Sequence, residues 1–405
     1  MFNNVIHKFV ITAGLINNET SEYTDLSKNI TAIAIKKNYY SFVYPLYVIN
    51  MVLTENMRKY IIMNDVDINL SIERYTVDDI TTSSEDTFSS DPTIDKQLLN
   101  LTLTPFDKSK SFANPNTSDV QDEEDSEEVI TSQLINYEIS CIPKDSLLLN
   151  GTIINDCYNN ANVNEIILNV LSSLYTGSIY LQESLNTNRY DSLLIPPLSL
   201  VQALNFLQDE YFVYDNSLNL FFDDNKVFVY DIKSKDRKYE NELSVNIITN
   251  SETYSADIFQ TPQIDENEDI RFYLKNNPLF FSNHDVYKNK IGTQTVFNSY
   301  DDNFNLISRD YNNKEISKNK TRYFWNPKRY SYFENSEMNR FYQFCSLKYE
   351  NIDPTLFNPG TRIYITGSEL EEINGQYALL GINIYFSSSD YVTYSNSVIL
   401  SLGKL

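Results

Sequence analysis

General-base chemistry has two histidines to draw on, His7 and His284, and neither stands beside a serine or cysteine nucleophile motif. No G-x-S-x-G elbow, H-E-x-x-H helix or P-loop occurs, so the spacings that assemble a hydrolase triad, a zinc protease or a phosphate cradle are missing. Three adjacent carboxylate pairs, Asp209/Glu210, Asp223/Asp224 and Glu371/Glu372, could supply the acid and base of a glycan hydrolase, which flanks its scissile bond with two carboxyl groups. In a chain with 55 Asp and Glu, turn chemistry and helix-end charge are the simpler account. The acidic run DEEDSEE (122–128) lacks the glycine-containing spacing of a calcium loop and reads as a solvated face. Cys141, Cys157 and Cys345 are odd in number and lack metal-ligand spacing, which predicts buried thiols in a reducing compartment. The basic-aromatic KNKTRYFWNPKRY (318–330) has the makings of a nucleic-acid contact by stacking and charge, or of a contact with an acidic neighbouring subunit. No residue is assigned a catalytic, cofactor-binding or metal-binding role.

Composition narrows the class further. The 405 residues carry 32 Lys and Arg against 55 Asp and Glu, a formal net charge of -23. Such a surface repels phosphate backbones, which excludes sequence-specific nucleic-acid binding and suits either solubility or an acidic channel past which DNA slides. Only 9 glycines are present, too few for glycine-paved nucleotide loops, while 31 Tyr and 23 Phe supply ample core material. Tyrosine with Asn and Asp is also what glycan-binding surfaces use. The longest apolar window, YYSFVYPLYVINMVL, is short of the ~18 residues of a membrane span and is interrupted by Pro45 and Asn50, so no stable membrane insertion is expected. The opening MFNNVIHKFVITAGL lacks the pattern of a secretion signal.

The elements that would position these residues are mostly strands. HKFVIT and TAIAIK are short β-rich runs, and SFVYPLYVINMVL is a third, with Pro45 implying an edge or a bulge. Thr54 is placed to cap a helix over ENMRKYIIM. In VDINLSIERY, Val66, Ile68, Leu70 and Ile72 alternate with Asp67, Asn69, Ser71 and Glu73, the period of a strand with one buried face. Residues 81–132 are rich in Ser, Asp and Glu around a possible strand, QLLNLTLTPF, and read as an exposed, partly disordered excursion at a hairpin tip. LINYEISCI resumes the alternation.

Helix signals then appear. Val163, Ile166, Ile167, Val170, Leu171 and Leu174 form an apolar stripe, Asn162 and Glu165 have capping-box spacing, and Gly177 stands near the expected C-terminus. Pro196 and Pro197 are read as the first turn of a second helix carrying Leu200, Val201, Leu204 and Leu207. EYFVYD, NLFFD and KVFVYDI follow as a three-stranded meander. From Lys233 to about Tyr330 periodicity fades, although LSVNIIT and TQTVFNS read as strands. Near the end come a Pro359-Gly360 turn, the strand TRIYIT, an Asn374-Gly375 hairpin signal, and the strands QYALLGINIYFS, DYVTYS and SVILSL.

The passage LLIPPLSLVQALNFLQDEYFVYDNSLNLFFDDNKVFVYDI resembles a segment of the central hub proteins of phage tails and baseplates. The matching residues are Pro196, Pro197, Leu198, the helix to Leu207, then Tyr211, Tyr214, Phe221, Phe222 and Asp223. The family usually has glycine after the tyrosine at the start of the meander, where this chain has Phe212. YPLYVINMVLTENMRKYIIMNDVDINLSIERY is similar to the family's first strand-helix-strand unit, and NPGTRIYITG with INGQYALLGINIYF to its closing barrel. These three pieces cover about half the chain in the expected order.

The resemblance implies an α+β, β-rich protein of several small β-barrel or sheet domains with a few packed helices, in a tail-tube-like hub architecture. The expected division is a tube-like domain over 1–145 with the insertion 81–132, a helix-plus-meander module over 146–235, an irregular interaction-rich segment over 236–345, and a small barrel or sheet domain over 346–405. It further implies a non-enzymatic homotrimer in the virion, assembled in the host cytoplasm. Its partners would be the tail tube protein, the central spike protein and neighbouring baseplate proteins, with DNA passing through its lumen. Two other readings stay open: a peripheral baseplate or host-recognition module binding cell-wall glycan, and a carboxylate-dependent glycan hydrolase.

Overall fold

Alternation at Val66, Ile68, Leu70 and Ile72 becomes a strand in which all four side chains are at most 1% exposed. A computed structural model of the chain describes residues 6–39, 43–77, 94–113, 134–184, 186–214, 217–224, 226–234, 343–367, 374–388 and 393–405. It also describes the backbone of strands at 243–248, 263–264, 270–275, 280–283, 296–300, 306–310 and 322–323.

The first part holds β1 (Ile6–Asn17), β2 (Tyr23–Asp25), β3 (Ile30–Asn38), β4 (Leu46–Thr54), α1 (Glu55–Met63), β5 (Val66–Val77), β6 (Ile94–Ala113) and β7 (Leu134–Pro143). Thr54 caps α1 as expected, its side chain accepting from the Met57 N–H. Pro45 stands just before β4. That strand is interior, paired with β3 on one side and β7 on the other, and a proline inside it would break a ladder. β6 is a 20-residue strand paired with both β5 and β7, and Leu99 and Leu103 are buried in the main core. The expected excursion over 81–132 therefore encloses a core strand; its polar flanks, DEEDSEE among them, lie outside the described residues.

The second part comprises α2 (Lys144–Gly151), β8 (Ile153–Ala161), α3 (Val163–Leu174), β9 (Ser178–Leu181), β10 (Tyr190–Ser199), α4 (Leu200–Tyr211), β11 (Asn219–Asp223) and β12 (Lys226–Tyr230). α3 has the expected capping box: Glu165 N–H donates to the Asn162 side chain, and Asn162 N–H to the Glu165 carboxylate. It ends at Leu174 with Tyr175 extended, so Gly177 is not its cap. Pro196 and Pro197 belong to β10, not to a helix. They sit where the β8–β10 register shifts, in a two-stranded ribbon that can spare their missing N–H groups. α4 starts after Ser199, whose N–H is held by the Gln202 side chain.

EYFVYD is not a strand. α4 runs to Tyr211, and Phe212 ends it in the left-handed region at φ 53°. The third strand beside the β11–β12 hairpin is β9, parallel to β12. The glycine usual in the resembling family at this position is explained by that φ, which glycine adopts without a Cβ penalty. Phe212→Gly is expected to be more stable than Phe212→Ala by about 1 kcal/mol, read as a shift in denaturation midpoint.

β13 (Leu243–Ile248), β14 (Gln263–Ile264), β15 (Ile270–Lys275), β16 (Phe280–Asn283), β17 (Val296–Tyr300), β18 (Leu306–Asp310) and β19 (Arg322–Tyr323) follow. The strands expected in LSVNIIT and TQTVFNS are β13 and β17. Most of KNKTRYFWNPKRY lies outside the described residues.

The chain closes with β20 (Gln343–Glu350), β21 (Arg362–Thr366), β22 (Gly375–Ser388) and β23 (Tyr394–Lys404). Pro359-Gly360 makes the expected turn: Gly360 has φ 79°, and Thr361 N–H donates to the Asn358 carbonyl at 3.1 Å. Asn374-Gly375 is not a two-residue hairpin, because β21 ends at Thr366 and β22 begins only at Gly375. Of DYVTYS, Tyr394 and Ser395 open β23, which runs on through SVILSL; Asp390, Tyr391 and Val392 lie outside the described residues.

These last strands join the first ones in a single sheet with one core. Antiparallel pairing runs β22–β3–β4–β7–β6–β5–β1–β23, and β23 pairs back on β22, so the strands close into a circuit. The closure at β1–β23 is the pair Phe9–Tyr394; Phe9 also meets Phe386 edge-on at 5.1 Å, and the Tyr394 hydroxyl donates to the Ile30 carbonyl. β22 pairs with β21 before its register shift at Leu379/Gly381 and with β3 after it. A Cβ on Gly381 would lie 2.6 Å from the Lys37 carbonyl, so only glycine lets β22 change partners here.

Candidate functional site: a hairpin shared by two cores

The β11–β12 hairpin has no face toward water to spare. Phe221, Phe228 and Tyr230, with Ile232 just beyond, belong to the core inside the strand circuit. Leu220, Phe222, Val227 and Val229, which alternate with them, belong to a second core built on α3 and α4. Period-two alternation thus places one hairpin in two hydrophobic clusters and ties the helical module to the strand circuit.

Directional contacts fix the junction. Phe221 meets Tyr39 edge-on with ring centroids 4.7 Å apart. Phe222 stacks on Tyr44 at 5.2 Å, and its N–H donates to the Val43 carbonyl at 2.8 Å. The Tyr230 hydroxyl donates to the Tyr39 carbonyl, and the Tyr39 hydroxyl to the Phe357 carbonyl, both buried. Lys37 Nζ lies 2.7 and 2.8 Å from the two Asp223 carboxylate oxygens. Burial, with Asp223 and Tyr230 nearby, holds the Tyr39 hydroxyl far above its usual range, so it stays a neutral donor.

Two further carboxylates lock the fold. Asp353 is buried and accepts from Thr355 N–H and hydroxyl, from Arg74 at 2.6 Å and from Lys96 at 3.2 Å, which joins the turn after β20 to β5 and β6. Burial alone would raise its carboxyl; the Thr355 hydrogen bonds and the two cations outweigh this and hold it below the usual range. Asp67, expected on the outward face of β5, is buried under Lys144 Nζ at 2.5 Å and the Thr104 hydroxyl at 2.7 Å.

Among the described residues considered for chemistry, none assembles into a reacting group. Asp223 is held by Lys37, Asp224 occupies the hairpin turn at φ 52°, and Asp209 and Glu210 are exposed near the end of α4. Glu371, Glu372 and His284 lie outside the described residues, and His7 is part of β1 opposite Thr76. Cys141 and Cys345 are buried free thiols as expected, but Cys157 is exposed, because its position on β8 faces away from the second core. Among the described tyrosines, Tyr39, Tyr47, Tyr137, Tyr230, Tyr377 and Tyr394 are at most 1% exposed and serve the core, whereas Tyr23, Tyr180 and Tyr385 are exposed. Among the described residues no group of three or more His, Cys, Asp and Glu is placed to hold a metal, and no helix is long and apolar enough to cross a membrane.

Residues 7–402 match the sequence profile of the family described as bacteriophage PBS1 gene 109 protein. The chain belongs to that family. Among curated proteins no sequence matches this gene 109 family member. Its fold is that of phage tail proteins. It is similar to the tail protein from Neisseria meningitidis MC58, with 9% identity, a TM-score of 0.50 and coverage of 98% of this chain and 97% of the other. It is equally similar to the 43 kDa tail protein of prophage MuSo2 from Shewanella oneidensis, again 9% identical at a TM-score of 0.50 over 98% and 97% of the two chains. A weaker match, at a TM-score of 0.41 and 9% identity over 93% of this chain and 74% of the other, is the E. coli c3393 protein, a type VI secretion component described as similar to T4 tail proteins gp27 and gp5. The kinship expected from the residues holds for family and fold.

Proposed function

We propose that the chain is a non-enzymatic structural hub of a phage tail or baseplate. Three copies surround the tail axis, join the tail tube to the central spike, contact neighbouring baseplate proteins, and line part of the path that DNA takes. The chain resides in the virion tail and is assembled into it in the host cytoplasm. The observation that carries this reading is the end-to-end fold match to tail proteins of two bacteria, with 98% of this chain aligned.

The physical design agrees with it. Eight-stranded circuits enclose just enough space for side chains to fill. This one is filled by its own core and the shared hairpin, so a DNA path runs between protomers and not through one. A charge of -23 per chain gives such a path walls that do not bind phosphate. The helical module, clamped through β11–β12, is a brace whose task is mechanical.

Light scattering on the purified chain tests the reading. The expected mass is three times the 47.1 kDa chain, with annular particles in negative stain. A monomer at every concentration would contradict the self-assembling hub.

A further inference from the structure

Copies of a chain with a formal charge of -23 must meet somewhere, and most of the surface is repulsive. At physiological salt, charges beyond about 8 Å from a contact are largely screened, so the requirement is local: a patch free of carboxylates. The outer face of the β8–β10 ribbon is such a patch. Ile153, Asn155, Cys157 and Asn159 alternate along β8, all exposed, and Ser192 and Leu194 continue the face on β10. None is charged. Leu194 and Cys157 are direct cross-strand partners, and the Ser192 hydroxyl is 3.6 Å from the Cys157 sulfur.

Ile153 is 62% and Leu194 59% exposed, whereas Leu193 and Ile195, on the opposite face, are buried in the second core. Asp156 and Asp191 alternate with the outer residues and so fall on the other side of the pleat. At ~3.3 Å per residue the uncharged strip from Ile153 to Asn159 is about 20 Å long. Three of the other exposed apolar side chains stand beside charge: Tyr23 next to Glu22, Met63 near Asp65, Phe106 next to Asp107.

We infer that this outer face is buried against a second copy of the chain in the assembled oligomer. The inference rests on the homotrimer reading and gives it a surface. Cys157 is a built-in reporter, since the other two thiols are buried. The test follows maleimide reaction of the full-length chain across a concentration series, with mass measured on the same samples. One thiol per chain reacts rapidly in dilute monomer. In the trimer the reaction is roughly tenfold slower or more, because only the dissociated fraction exposes it. Leu194→Asp and Ile153→Asp, both at exposed positions, keep the native circular dichroism but leave the chain monomeric and fully labelled. Leu168→Asp, at an exposed site on α3, leaves assembly unchanged. A trimer that labels at the monomer rate, or that persists in Leu194→Asp, overturns the surface while the trimer stands. A monomer at all concentrations overturns both.

Discussion

Asp353→Ala is expected to destabilise the protein by about 3 kcal/mol, read from the denaturant midpoint, because it strips a buried carboxylate from two cations. The side chain of Asp353 is 8% exposed and that of its partner Arg74 14%, so the ion pair with Arg74 is little screened, whereas Lys96, at 43%, contributes less. Asp353→Asn recovers part of the loss, since an amide oxygen still accepts from Thr355 N–H. The pH dependence has a definite sign. A carboxyl whose folded pKa lies below its unfolded value of about 3.9 contributes stability that is full above that value and lost as pH falls through the folded pKa. The deficit of Asp353→Ala relative to wild type is therefore constant near neutrality and shrinks below about pH 4. A deficit that grows on acidification would contradict the assignment.

Phe221→Ala is the second large effect, about 3–5 kcal/mol, as for other buried phenylalanines truncated in a tight core. Phe221 is 0% exposed, fills the junction against Tyr39 and belongs to the core of the strand circuit. Its loss loosens the hairpin from that core without touching the helix stripe of Val163, Ile166, Ile167, Val170 and Leu171, which packs in the other cluster. Hydrogen exchange should accelerate at β11 and β12 while α3 keeps its protection. A cost below about 1 kcal/mol, or equal loss of protection in α3, would show that the hairpin does not join two separable cores.

Local signals were readable and long-range ones were not. The alternation of β5, the Thr54 cap, the Asn162–Glu165 box and the Pro359-Gly360 turn each depend on residues within a few positions, and each forms as read, save that Asp67 on the outward face of β5 is buried. Pro196-Pro197 misled because a proline pair opening a helix and a proline pair in a bulged ribbon look alike in sequence. β8, IINDCYNNA, was invisible because its outer face mixes Ile153 and Cys157 with asparagines and only Ile154 and Ala161 are buried. The circuit's closure depends on β1 meeting β23 at the far end of the chain, which no local period encodes.

The locking carboxylates were hidden for the same reason. Asp67 finds Lys144 at a separation of 77 residues, and Asp353 finds Arg74 at 279. In a sequence with 55 acids, nothing local distinguishes these two. Of the carboxylate pairs that did stand out by adjacency, Asp223 is ion-paired with Lys37 and Asp224 occupies the hairpin turn, while Asp209 and Glu210 lie exposed near the end of α4. The shared hairpin was legible as two short aromatic strands, but its division between two cores was not, since each alternate face reads as buried.

The proposed place of this chain is on the tail axis, as a hub. Cryo-electron microscopy of purified virions carrying a compact tag fused to the chain's C-terminus tests it most directly. Three tagged copies around the axis, between tail tube and spike, are the predicted result. Tag density at the baseplate periphery, or none in the virion, would contradict it.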